Sequence, residues 1–145
     1  MIRIICIGKI KEEYLKNLIE DYKRRISRYH KIEIIELKEG VSLKAEAEDI
    51  LKHINSRDYT IACSIEGIGV TSETFADIID KAFIERGNIN FIIGSSEGLD
   101  IEVKNIANKS ISFSRCTFPH GLFRGILLEQ IYRAFKILNN ETYHK

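Results

Sequence analysis

The sequence has no tryptophan, one proline and three cysteines among 145 residues. It contains no apolar run near the roughly 18 residues that a membrane-spanning helix needs. Its first residues, MIRIICIGKIKEEY, resemble a strand and a helix start rather than a signal peptide. With 44% hydrophobic residues and no low-complexity tract, the chain is predicted to form one domain over residues 1–145 and to be cytoplasmic.

The three cysteines are widely spaced and include no C-x-x-C pair. A disulfide framework or a zinc site needs paired, closely spaced thiols. The sequence therefore predicts no disulfide and no bound metal. Cys6 and Cys63 lie in apolar segments, where cysteine usually acts as a small core residue.

Two glycine-rich phosphate motifs are also absent. A dinucleotide-binding domain should carry G-x-G-x-x-G after its first strand, but only Gly8 and Lys9 follow here, and G-x-x-x-x-G-K-[ST] is missing. A receiver-type metal site would require acidic residues at the end of that strand, and none is present there. A flavodoxin-like or nucleotide-binding regulator is therefore disfavoured.

Five strand-patterned segments alternate with five helix-patterned ones, which predicts an α/β fold with a five-stranded, mostly parallel sheet and helices on both faces. Ser72 is the predicted N-cap of the third helix and Gly87 its end. The predicted strands cover residues 3–8, 31–37, 59–65, 89–94 and a segment around 111–113. The predicted helices begin near residue 12, span 43–54, lie between Ser72 and Gly87, span 100–107, and follow Pro119.

Three late strand ends are rich in small or polar residues, and parallel sheets bind ligands at the carboxyl ends of their strands. We therefore expect one pocket built from the second half of the fold. The residues are Glu66, Gly67 and Gly69 after the third strand, residues 94–98 after the fourth, and residues 114–117 after the fifth.

Charge is segregated along the chain. Residues 1–31 carry nine Lys/Arg and four Asp/Glu, residues 32–108 carry seven and fifteen, and residues 109–145 carry six and two. Two basic ends on one face would suit a polyanion such as RNA. Ordinary solvated helix faces would give the same count.

Two residues of the last helix are candidates for chemistry. Arg124 lies in the middle of the apolar stripe formed by Leu128, Ile131 and Phe135, so it either extends to water or faces a substrate phosphate or a partner subunit. His120 directly follows Pro119, where it either acts as a general base or holds the turn.

Several longer motifs resemble those of the ribosomal RNA large subunit methyltransferase H family, within the SPOUT or α/β-knot superfamily. The resemblance covers essentially the whole chain. The matching segments are FIIG at 91–94, EGL at 97–99, SFSRCTFPH at 112–120, Arg124, LLEQIYRAFKI at 127–137 and the final YHK.

The resemblance implies a fold and a cofactor. Members have a C-terminal deep trefoil knot, act as homodimers and bind S-adenosylmethionine with the knot loops. Carried over by motif, the residues in contact with this methyl donor are Ile65, Gly94, Phe113, Ser114, Arg115, Cys116, Thr117 and Phe118.

The resemblance also implies methylation of N3 of a pseudouridine in a stem-loop of 23S ribosomal RNA, on the assembled ribosome, with a site completed by the partner chain. His144 or His120 is then the expected base, with Arg124 orienting phosphate or stabilising charge and Tyr143 positioning the nucleobase. The rival hypothesis is a protein of the same fold that has lost activity and only binds RNA or ribosomes.

The sequence departs from the family pattern at a few positions. Ser95 stands where a second glycine usually follows IIG, and serine resists a positive φ. Gly121 occupies a position that often holds glutamine, and the loop after Ile65 is one residue shorter, with Val70 in place of a usual lysine. We therefore expect an altered loop and an extra side chain beside the donor.

Overall fold

A computed structural model describes residues 1–145 of the chain. Five strands alternate with five helices, as the sequence predicts. The elements are β1 (Ile2–Ile7), α1 (Glu13–Ile26), β2 (Ile32–Leu37), α2 (Leu43–Leu51), β3 (Tyr59–Gly69), α3 (Ser72–Arg86), β4 (Ile89–Ile93), α4 (Ile101–Ile106), β5 (Lys109–Ser112) and α5 (His120–Leu138).

All five strands belong to one sheet in the order β2-β1-β4-β3-β5. Every neighbouring pair is parallel. Every residue of β4 is buried, which suits a central strand covered on both faces and explains its continuous apolar sequence. The predicted five-stranded parallel α/β sheet is confirmed.

Helices cover both faces of the sheet. Ile4 and Cys6 of β1 belong to a core cluster with residues of α1, α3 and α5. The alternate residues Ile5 and Ile7 pack in a second cluster with residues of α2 and α4, because successive side chains of a strand point to opposite faces. None of the five helices has the length and apolar character needed to cross a bilayer.

The start of α3 differs from its prediction. Thr71, rather than Ser72, is the N-cap: its hydroxyl accepts a hydrogen bond from the Thr74 amide at 3.1 Å, and the Thr74 hydroxyl accepts one from the Thr71 amide at 2.8 Å. The Ser72 hydroxyl instead donates to Gln130 of α5 at 2.7 Å. Gly87 ends the helix with φ +81°, as predicted.

The chain passes closely around the end of β5. Ile111 is the register partner of both Cys63 and Ile68 of β3, so residues 64–67 bulge out beside it. A Cβ on Gly67 would lie 2.6 Å from the Ile111 backbone nitrogen and carbonyl carbon. Only glycine fits at residue 67. The close contact between the Gly67 and Ile111 backbones holds the end of β5 against the bulge of β3.

Arg124 is the largest buried polar side chain, with 1% of its surface exposed. Its Nη1 donates to Glu36 Oε2 at 2.7 Å, and its Nη2 donates to the Gly8 carbonyl at 3.1 Å. The same Glu36 oxygen accepts from the Ile10 amide at 3.1 Å. Of the two alternatives for Arg124, extension to water is therefore wrong: Arg124 links the ends of β1 and β2 to the first turns of α5.

We predict that Glu36→Ala lowers the free energy of unfolding by about 3 kcal/mol, because the Arg124 guanidinium stays buried without a counter-charge. Urea unfolding at one protein concentration measures this. Glu33→Ala, on the same strand, is the control and should change stability by less than about 0.5 kcal/mol.

The double variant Glu36→Leu with Arg124→Met should be more stable than Glu36→Ala, because it removes both charges. A loss below about 0.5 kcal/mol for Glu36→Ala would contradict the assignment of Glu36 as the charge partner of Arg124.

Candidate active site

A cavity of about 710 Å³ lies at the carboxyl ends of β4, β3 and β5, which are neighbours in the sheet. This agrees with the pocket predicted from the three late strand ends. Arg115 is exposed and does not line the cavity. The other residues expected at the donor do line it: Ile65, Gly94, Phe113, Ser114, Cys116, Thr117 and Phe118.

One wall of the cavity is the turn after β4, residues 94–98. Gly94 is buried, and a Cβ there would clash with the Gly98 carbonyl, coming within 2.7 Å of its carbon. The Gly98 amide closes the turn by donating to the Ser95 carbonyl at 2.9 Å, and Gly98 has φ +88°. Glycine is thus required at two points of this wall.

Ser95 does not strain the turn. Asn140 is the sole non-glycine residue of the chain with a positive φ, so the conformation that serine would resist is not needed at residue 95. The Ser95 hydroxyl donates to Glu46 Oε1 at 3.0 Å, and Glu46 Oε2 accepts from the Gly40 amide at 3.1 Å. Glu46 is 6% exposed, so this bond anchors the turn to the start of α2.

The cavity walls suit a ligand with a flat ring and a cationic end. Phe113 packs edge-to-face on Phe75, with centroids 5.0 Å apart, and lies 5.6 Å from the Phe123 ring. Glu66 and Glu97 supply negative charge on the polar side. Hydrogen bonds from Ser64 and Lys104 hold the pKa of Glu66 below its usual range, so it is ionised at neutral pH. Small-molecule sites typically combine apolar walls with a few such polar groups.

Two of the three thiols, Cys6 and Cys63, are shielded by burial. Burial raises the pKa of Cys63, in the cavity wall, to about 12, and burial raises that of the core residue Cys6 to about 11. Neither thiol is ionised at neutral pH, so neither is a nucleophile. No three His, Cys, Asp or Glu side chains lie close enough together to hold a metal ion.

His120 begins α5 and lies between two cavities. It lines the cavity just described and also a second one of about 1050 Å³ over the carboxyl ends of β1 and β2. Its Nε2 would lie 3.2 Å from a Cβ on Gly8. The Gly8 turn that Arg124 holds is thus the surface against which the His120 ring rests.

Tyr143 and His144 line neither cavity. The Tyr143 hydroxyl donates to Glu129 at 3.1 Å and lies 3.2 Å from the Tyr22 hydroxyl, and the Arg133 guanidinium lies 4.8 Å from its ring centroid. Burial, together with Tyr22 and the charge of Glu129, raises the pKa of Tyr143. The last residues therefore pack on α1 and α5 of the same chain.

His144 is held by two charged residues. Its Nδ1 lies 3.1 Å from Arg133 Nη1, and its Nε2 lies 2.7 Å from a carboxylate oxygen of Glu73 in the first turn of α3. By spacing, Glu129 and Arg133 are an i, i+4 pair of a solvated helix face. Only the fold shows that the C-terminal residues bind to that pair, so sequence reasoning missed it.

A family profile and several known proteins match this chain over nearly its whole length. The profile of a family described as "Predicted SPOUT methyltransferase" matches residues 1–144. A protein of Caldicellulosiruptor saccharolyticus named "Ribosomal RNA large subunit methyltransferase H" is 47% identical over 100% of both chains. A protein of the same name from Clostridium botulinum is 44% identical over 99% of both chains.

A solved structure shares the fold. It is described as a probable methylase family protein from Haemophilus influenzae, with a TM-score of 0.58 and 16% identity over 99% of this chain and 70% of that one. The fold, the full-length family match and relatives at 44–47% identity agree. The chain belongs to the SPOUT methyltransferase family.

Proposed function

We propose that this protein is a cytoplasmic enzyme that transfers a methyl group from S-adenosylmethionine to N3 of a pseudouridine in a stem-loop of 23S ribosomal RNA, within the assembled ribosome. The observation that carries the proposal is the 710 Å³ cavity, which is built from the segments that resemble the ribosomal RNA large subunit methyltransferase H family. Full-length relatives with that name support large-subunit ribosomal RNA as the acceptor molecule.

The walls of the cavity fit the methyl donor. Ile65, Phe113 and Phe118 offer apolar surface to a purine ring, and the turn at Gly94 lets the backbone approach closely. Glu66 lines the cavity, and its negative charge favours a cationic ligand there. S-adenosylmethionine, when bound, supplies an electrophilic methyl group on a cationic sulfur and leaves as a neutral thioether.

The residues of the chain then have to position the acceptor and take up its proton. The N3 proton of the nucleobase is lost as nitrogen bonds to the methyl carbon, so a neutral imidazole beside N3 would assist. His120, in the wall of the cavity, and His144, supplied by a partner chain, are the two candidates. Tyr143 would position the nucleobase.

Arg124 acts indirectly in this proposal. Its polar contacts are with Glu36 and the Gly8 carbonyl, and its side chain is 1% exposed. It is therefore proposed to position the turn beside His120, in place of the phosphate contact expected from the sequence.

A knot and a homodimer belong to the same proposal. The pairing of Ile111 with both Cys63 and Ile68 supports a chain that threads through the loop after β3. The family resemblance implies a site completed by Tyr143 and His144 of the partner chain; within their own chain both residues lie outside the cavity.

We predict that wild-type protein binds S-adenosylmethionine in calorimetry and that Gly94→Ala lowers the affinity at least about tenfold, because the added Cβ displaces the turn that lines the cavity. Gly69→Ala is the matched control, since a Cβ there meets nothing within 4 Å. No binding by the wild type at millimolar donor would contradict the enzyme proposal and favour a protein that only binds RNA.

Single-turnover methylation of ribosomes that lack the modification tests which of the two histidines, if either, acts as the base. If an imidazole takes the proton, His120→Ala or His144→Ala should lower the rate by about 100-fold or more. Near-normal rates for both variants would rule out base catalysis by histidine.

A mixed dimer tests whether the C-terminal residues act across the interface. We predict that, at a donor concentration well below the wild-type Kd, a Gly94→Ala chain alone keeps about a tenth of wild-type activity or less, and that a chain lacking residues 142–145 is inactive. Together they should regain about a quarter of wild-type activity, because half of the random dimers would hold one complete site. No recovery on mixing would mean that these residues serve their own chain.

A further inference from the structure

The second cavity, of about 1050 Å³, is lined by none of the residues expected to contact the methyl donor. It opens over the carboxyl ends of β1 and β2. It shares Pro119 and His120 with the 710 Å³ cavity, which we call the donor cavity. We call it the β1–β2 groove, lined by residues 8–12, Tyr14, Leu15, residues 36–39 and residues 119–122. A ligand in it would contact His120 from a cavity other than the one proposed for the methyl donor.

The charges of the groove suit an anion. Lys9, Lys11 and Lys38 line it and are exposed. None of the three belongs to any ion pair of the chain. An exposed lysine with no carboxylate within ion-pair distance is available to contact a phosphate.

The carboxylates of the groove do not cancel these lysines. Glu36 is neutralised by the buried Arg124, which leaves Glu12 and Glu39 against three lysines. The donor cavity has the opposite balance, with Glu66 and Glu97 against Lys104. The two cavities that meet at His120 are therefore matched to ligands of opposite charge.

The groove also offers an aromatic surface. Tyr14 is 71% exposed, and Leu122, on the other side, is 37% exposed. An exposed ring beside unpaired lysines is the combination that binds single-stranded nucleic acid, where bases stack and cations contact the backbone. A duplex would present phosphates but no free base to the ring.

We propose that the β1–β2 groove binds the single-stranded RNA that flanks the target nucleotide. Lys9, Lys11 and Lys38 contact its phosphates, and Tyr14 stacks on one base. A flanking strand bound in the groove brings the adjoining target nucleotide to His120, where the groove meets the donor cavity. This inference rests on the proposed function, since it takes ribosomal RNA as the acceptor.

The test compares two triple variants that lose the same charge. Lys9→Gln, Lys11→Gln and Lys38→Gln remove the groove lysines. Lys44→Gln, Lys52→Gln and Lys81→Gln remove exposed lysines from α2, the residue after it, and α3. Binding to ribosomes that lack the modification is measured by sedimentation between 50 and 200 mM salt, a range chosen because phosphate contacts depend steeply on salt. Calorimetry measures S-adenosylmethionine binding by each protein.

The groove variant should bind ribosomes about 10- to 100-fold more weakly at 0.1 M salt, and its log–log salt slope should be shallower by about two. The control variant should keep the wild-type affinity and slope. Both should bind S-adenosylmethionine as the wild type does. Equal ribosome affinity of the two triple variants would overturn the inference. A change in the oligomeric state of the free groove variant with unchanged ribosome affinity would also overturn it, and would assign the groove to a second copy of the chain.

Tyr14 gives an independent check. Tyr14→Ala should weaken ribosome binding about fivefold or more, whereas Tyr14→Phe keeps the ring and should retain it. If both variants bind like the wild type, no base stacks in the groove and the inference fails. Ribosome binding is measured without the methyl donor, so a failure of the groove is distinguishable from a failure of the proposed function, which would appear as absent donor binding by the wild type.

Discussion

The ion pair between the buried Arg124 and the partly exposed Glu36 holds the part of the molecule that borders both cavities. Arg124 is 1% exposed and binds Glu36 and the Gly8 carbonyl. Removing one partner of such a pair leaves an uncompensated charge in the interior, which is strongly destabilising. Because the start of α5 borders both cavities, the position of His120 between them follows from this contact.

In the proposed reaction, one cavity binds the cationic methyl donor and the other binds the polyanionic RNA. The donor cavity holds aromatic walls and unpaired negative charge at Glu97, whereas the β1–β2 groove holds three unpaired lysines. Local fields of opposite sign favour binding of the cationic donor in the donor cavity and of the RNA in the groove. The net charge of +1 hides this division.

Much of the fold and of the donor cavity was predictable from the sequence. Apolar strands alternating with amphipathic helices predicted the parallel sheet, and glycines after the late strands marked the cavity. Spacing could not show that residues 64–67 pass around Ile111, nor that Thr71 caps α3 in place of Ser72, since both depend on tertiary contacts. Nor could it show that Arg124, central in an apolar stripe, meets Glu36, which lies 88 positions away in the chain. The packing of Tyr143 on Glu129 likewise needs the folded helices.

The central claim is methyl transfer to ribosomal RNA. The most direct measurement incubates the purified protein with methyl-labelled S-adenosylmethionine and ribosomes from cells lacking the enzyme, followed by mass spectrometry of the digested 23S RNA. We predict one labelled methyl group per ribosome, on N3 of a single pseudouridine. Label on another nucleotide would contradict the proposed acceptor. No label in RNA, with the donor bound, would contradict the proposed reaction.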